Sequence, residues 1–140
     1  MPSLAMEPTI PAGSKVTVDF AAYKSREPCR SEIVVFRPPA PTNALFVFRV
    51  VGLTGEAIKI TDARVLINGK SLTVPGGVRY MPVPSGINQT NLSTTEFFLL
   101  GDNTSQARDS RYLGPIKRGD ILGKVINIEP PVATSPGTSP

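Results

Sequence analysis

Three stretches of this chain hold the residue types and spacings that bear on chemistry. The first is Pro2-Ser3-Leu4-Ala5-Met6-Glu7-Pro8-Thr9, and the second is Phe48-Arg49-Val50-Val51-Gly52-Leu53-Thr54-Gly55-Glu56. The third is Gly101-Asp102-Asn103, followed by Asp109-Ser110-Arg111-Tyr112-Leu113-Gly114. What the chain lacks narrows the chemistry further. It contains no histidine, so no Cys–His or Ser–His catalytic pair exists and the usual zinc sites are removed. The single cysteine, Cys29, lies between Pro28 and Arg30 in a polar stretch. It has no partner for an internal disulfide and reads as a bystander.

The elements that must position these stretches read as short strands. Lys15-Val16-Thr17-Val18-Asp19-Phe20 alternates apolar and polar residues, as a half-buried strand does. Ile33-Val34-Val35-Phe36 is a β-branched and aromatic run ended by Pro38 and Pro39. Leu45 to Val51 is a longer apolar run closed by Gly52, and Ala57-Ile58-Lys59-Ile60-Thr61 alternates again. Val65-Leu66-Ile67 leads into Asn68-Gly69, a strong two-residue hairpin signal, with Ser71-Leu72-Thr73-Val74 as the returning strand. Residues 84 to 95 are rich in Ser, Thr and Asn and read as a loop. Phe97 to Leu100 reads as a buried strand and Ile121 to Ile128 as the last one. From Pro130 onward the chain is rich in Pro, Ser and Thr, which predicts a disordered tail. No segment shows a helical period, so the class is all-β.

In their order and spacing, the three opening stretches resemble the boxes of type I signal peptidases. These are membrane-anchored serine proteases that remove signal peptides from exported proteins. Glu32-Ile33-Val34-Val35-Phe36 is a weaker echo, and the resemblance runs over residues 2–128. It implies an antiparallel signal-peptidase-like β-fold with a smaller inserted β-hairpin subdomain. The expected division is a core of residues 1–61 and 96–129, an inserted hairpin and loop of residues 62–95, and a tail of residues 130–140.

The family works through a Ser/Lys dyad. The serine hydroxyl attacks the scissile carbonyl, and a lysine kept neutral by burial takes its proton. The resemblance places Ala5 at the nucleophile position, where no hydroxyl is available. It places Phe48 at the general-base position, where no proton can be accepted. Ala107 stands where a serine would orient the lysine. Ser3 matches the hydroxyl that joins the backbone N–H of position 5 in an oxyanion hole, which stabilises charge only if an attack creates it. Arg49, Asp102, Asn103, Asp109, Ser110 and Arg111 match positions that hold the core loops together, in part as Arg–Asp forks. Ser110 is not a concealed nucleophile, because the family keeps a serine there beside its active dyad. Nor is Ser3 a replacement, since two residues along a strand lie about 6–7 Å apart and attack requires about 3–3.5 Å. Neither Lys15 nor Lys59 can be placed as a base from sequence.

The leading expectation is therefore a degenerate signal peptidase that binds extended, signal-peptide-like segments along a strand edge without cleaving them. Two alternatives stand beside it. One is a genuine signal peptidase inactivated by a Ser-to-Ala substitution, which leaves Phe48 and Ala107 unexplained. The other is a structural partner of other secretion components that binds no peptide. The resemblance implies no metal and no cofactor.

The composition fits these readings. With 140 residues, 40% of them hydrophobic and 19% charged, the chain is long enough for one globular domain with a real core. The net charge of +4 is compatible with a solvated surface or an anionic membrane surface. No basic run is interleaved with aromatics, so nucleic acid is not an expected partner. No stretch approaches the about 20 apolar residues that span a bilayer, and no secretory leader is read at the start. The family's location implies the extracytoplasmic face of a membrane, with an anchor helix upstream of Met1. Leu4, Met6 and Ile10 are expected to form, in part, an exposed apolar patch beside position 5.

Overall fold

The computed structural model describes residues 4–39, 41–62, 64–74 and 78–132. Ten strands form two antiparallel sheets. The strands are β1 (Lys15–Asp19), β2 (Ile33–Phe36), β3 (Phe46–Gly52), β4 (Ala57–Thr61), β5 (Arg64–Ile67), β6 (Lys70–Ser71), β7 (Gln89–Asn91), β8 (Glu96–Leu100), β9 (Ile116–Lys117) and β10 (Ile121–Glu129). One sheet runs β1-β10-β2-β3-β8-β9 and the other β6-β5-β4-β7. Among the described residues, helix is confined to α1, Ser110–Leu113, and a 3-10 turn at Arg118–Asp120. The molecule is thus nearly all β, as the run of short strands implied.

Period-two alternation explains how one strand serves two cores. In β8, Phe97 and Leu99 join a cluster with Val34, Phe36, Phe48 and Val50. Their neighbours Phe98 and Leu100 face the other way and pack with Val51, Ile58, Ile60 and Val65. All four β8 apolar residues are fully buried, so a continuous apolar run marks a strand covered on both faces.

The sheet pairing differs from the expected division in two places. A boundary after residue 61 would leave β4 with the core, but β4 pairs with β5 and β7 and lies in the second sheet. Residues 89–91 read as loop, yet β7 pairs Ala57 with Asn91 and Lys59 with Gln89. Its Gln-Thr-Asn sequence carries no alternation, and backbone hydrogen bonds alone make it a strand. The predicted turn at Asn68-Gly69 has positive φ at both residues, 51° and 84°, as a type I′ hairpin requires. Of the returning strand, Lys70 and Ser71 pair in register and Leu72 adds one bond to Val65. Pro130 to Val132 are exposed, and residues 133–140 of the expected tail lie outside the described residues.

Gly52 ends β3 at a register shift against β8. A Cβ there would stand 2.6 Å from Ile58 Cδ1 and 2.9 Å from Phe98 Cβ. Overpacking of this kind costs about 1–3 kcal/mol. Gly52→Ala is therefore expected to lower the urea-unfolding free energy by that amount. Gly119→Ala, where a Cβ meets nothing within 4 Å, should change it by about 0.5 kcal/mol or less.

Candidate functional site

Arg49 sits in β3 where the strand is covered on both faces, so its side chain is buried and its charge requires a partner. It finds Asp102, just after β8. Nε donates to Asp102 Oδ1 at 2.9 Å and Nη2 to Oδ2 at 2.6 Å, while Nη1 donates to the Ser31 carbonyl at 2.8 Å. Two further donors complete the carboxylate. The Thr9 hydroxyl donates to Oδ2 at 2.5 Å and the Tyr80 hydroxyl to Oδ1 at 3.1 Å. Burial alone would raise the Asp102 pKa. The hydrogen bonds from Arg49, Thr9 and Tyr80 outweigh it and hold the group below the ordinary carboxylate range. The pair joins the amino-terminal segment, β3, the segment around Tyr80 and the loop after β8.

A second buried pair organises that loop. Asp109 caps α1 by accepting the Arg111 N–H at 3.1 Å, and it takes the Arg111 guanidinium through Nε at 2.8 Å and Nη2 at 2.9 Å. It also accepts the Gly101 N–H at 2.9 Å. The remaining Arg111 donors reach the Met81 carbonyl and the Thr104 hydroxyl and carbonyl. Ser110 Oγ accepts the Leu99 N–H at 2.9 Å. Asn103 clamps the segment at position 5. Its N–H donates to the Ala5 carbonyl and its Nδ2 to the Leu4 carbonyl, both at 2.9 Å.

Beside this clamp lies a groove of about 690 Å³. Ala5, Met6, Ile10, Phe46 and Phe48 contribute to its walls, and Gln106 and Arg108 stand at its edge. Phe36, Phe46 and Phe48 pack ring against ring, with centroids 5.7–6.1 Å apart. Gly101 is the meeting point of the expected site positions. A Cβ built there would lie 2.4 Å from Ala107 Cβ, 2.8 Å from the Ala5 carbonyl oxygen and 3.1 Å from Phe48 Cε1. The structure thus brings residues 5, 48 and 107 together around one glycine. Among the described residues lining the groove there is no lysine, and the Ser14 hydroxyl is already donated to the Pro11 carbonyl at 2.5 Å. Lys15 and Lys59 are exposed elsewhere, and Ser3 lies outside the described residues. Among the described residues no cluster of three or more His, Cys, Asp or Glu could hold a metal.

One wall of the groove is strand edge. β2 pairs with β3 from Phe46 through Arg49, whereas β8 pairs with β3 only from Arg49 onward. Val50 exchanges its backbone bonds with Glu32 and Ser31 on the β2 side. By ladder alternation the Val47 N–H and C=O point the other way, to the side where β8 is absent.

Of the expected apolar patch, Leu4 is 48% exposed, Ile10 is partly buried and Met6 is buried. The Met6 sulfur accepts the Asp102 N–H at 3.4 Å, which draws that side chain into the core. Sequence reasoning passed over Thr9, Tyr80 and Thr104, which complete the two carboxylate–arginine networks, and Gln106 and Arg108 at the groove edge. Thr9 stood inside a recognised stretch, whereas Thr104, Gln106 and Arg108 lay in the gap between the two halves of the third. Tyr80 carried no signal, because its segment has neither periodicity nor a motif.

A family model described as signal peptidase, peptidase S26, matches residues 1–128. A probable signal peptidase I-2 of Synechocystis sp. is 31% identical over 134 residues, covering 89% of this chain and 58% of that protein. The signal peptidase I of Leptolyngbya laminosa is 31% identical over 135 residues, covering 90% and 64%. The crystal structure of a signal peptidase I from Enterococcus faecalis V583 superimposes with a TM-score of 0.60 at 26% identity, covering 72% of this chain and 98% of that one. The chain therefore spans less than two thirds of the length of the first two relatives.

Because the Asp102 pKa is lowered on folding, its contribution to stability is present above the ordinary carboxylate range and lost as pH falls through and below it. Asp102→Asn leaves the Arg49 charge buried and is expected to cost about 3–5 kcal/mol at pH 7. Urea unfolding from pH 7 down to pH 3 should show a shallower acid-side loss of stability in the variant than in the parent.

Proposed function

Since the chain belongs to the signal peptidase (peptidase S26) family, we propose that it is a non-catalytic member that binds extended peptide segments without hydrolysing them. The observation that carries this reading is the pairing of an open strand edge with an apolar groove that offers no nucleophile and base. A peptide laid beside Phe46-Val47-Phe48 would bond to the Val47 N–H and C=O, and its alternate side chains would enter the groove. Hydrolysis needs an attacking atom and a group to take its proton. Ala5 and Phe48 supply neither.

The packing also weighs against a single inactivating substitution in an otherwise active enzyme. Phe48 is not an isolated change. Its ring lies against Phe36 and Phe46, and its edge meets the same glycine as Ala107. A lysine in this buried, aromatic place would need polar neighbours such as the hydroxyl that Ala107 lacks. The three apolar residues form one mutually consistent set.

The reading extends to the setting. Leu4 and Leu45, 48% and 47% exposed, flank the groove and suit contact with the surface of a membrane on its extracytoplasmic side. A patch this small binds lipid only weakly without a further anchor.

The protein is expected to leave a fluorogenic signal-peptide substrate uncut above the buffer rate, and Ala5→Ser alone should not change that. Ala5→Ser with Phe48→Lys and Ala107→Ser should give measurable cleavage, since it restores nucleophile, base and orienting hydroxyl together. Turnover by the parent chain would overturn the non-catalytic reading. In flotation with anionic liposomes, Leu4→Ser with Leu45→Ser should reduce the bound fraction about twofold or more, by loss of apolar contact. Equal partitioning would remove the membrane contact and leave the peptide-binding reading standing.

A further inference from the structure

The groove is apolar along residues 44–48, and Arg108 is the only charged residue among those lining it. That arginine is exposed, and among the described residues no carboxylate pairs with it. The nearby acids are committed elsewhere. Asp102 is taken by Arg49 and Asp109 by Arg111. The Arg108 guanidinium lies over the Tyr112 ring at 5.2 Å from its centroid, a stacking that leaves its edge donors free for a bidentate acceptor.

Arg108 also stands beside the point where the expected site positions converge. Ala107 precedes it directly, and Ala107, Ala5 and Phe48 converge so tightly on Gly101 that not even a methyl group fits between them. A chain laid along Phe46 to Phe48 runs toward this packed point, which has a cation beside it. We propose that the groove is specific for a peptide that ends there, with an apolar terminal residue against Phe46 and Phe48 and its free α-carboxylate on Arg108. The inference rests on the peptide-binding reading above and names the part of the peptide that is recognised. An interior segment without Asp or Glu has no anion to offer at that place, and the residues lining the groove include no acid that would repel one.

The test compares two fluorescein-labelled peptides of the same extended, apolar-alternating sequence, one ending in a free carboxylate and one in a carboxamide. Their affinities are read by fluorescence polarisation against the full chain and against Arg108→Gln. The free acid should bind the parent about two- to fivefold more tightly than the amide, the scale of one solvent-exposed ion pair. Arg108→Gln should lower the acid to the affinity of the amide and leave the amide unchanged. Because Arg108 is exposed and bears no buried bond, the variant should keep the parent's unfolding midpoint, which is measured alongside. Equal binding of acid and amide by the parent overturns this inference while peptide binding stands. Binding of neither peptide overturns both.

Discussion

The buried ion pair between Arg49 and Asp102 is the constraint on which the rest of the structure depends. Neither charge is stable alone in the interior, so each must hold the element that carries the other. Thr9 and Tyr80 are drawn in because a carboxylate accepts more hydrogen bonds than one guanidinium supplies. The amino-terminal segment and the segment around Tyr80 are thereby fixed to β3 and β8. The Asp109–Arg111 pair repeats the principle one loop later, with Gly101 between the two. No buried side-chain polar atom among the described residues lacks a partner, so these networks are satisfied rather than strained.

This polar frame holds the surroundings of residue 5 in place without help from the side chains of residues 5, 48 and 107. The backbone at position 5 is held by Asn103 through the carbonyls of Leu4 and Ala5, not by the side chain at position 5. Phe48 is held by its strand and by ring contacts with Phe36 and Phe46. At this buried place an aromatic ring fills the volume without the desolvation cost that a lysine would carry. Scaffold and chemistry are separable here because different residues carry them.

On the reading proposed above, what the groove offers is recognition. An unpaired strand edge supplies main-chain hydrogen bonds, and the aromatic floor supplies apolar contact. The edge arginine supplies the one charge. On the proposed reading, such a combination would discriminate peptides by their backbone geometry and their end rather than by many side chains.

Much of this was legible in the residues themselves. The absence of histidine, the apolar strand runs, the Asn68-Gly69 turn and the ordered boxes are local features, and local chemistry determines what they can do. The identities of residues 5, 48 and 107 were likewise plain, because lacking a hydroxyl or an amine is a property of the side chain alone. The tertiary structure decided where the same kind of residue ends up. Leu4 is exposed and Met6 buried, although both are apolar and two positions apart, because Met6 joins the apolar cluster that includes Phe48 and Leu99. β7 is a strand without a strand-like sequence, since its neighbour β4 offers the backbone bonds. Thr9 and Asp102 are 93 positions apart and share a hydrogen bond. Sequence patterns report periodicity within an element, whereas such contacts depend on how the chain folds back on itself, and no local pattern encodes that.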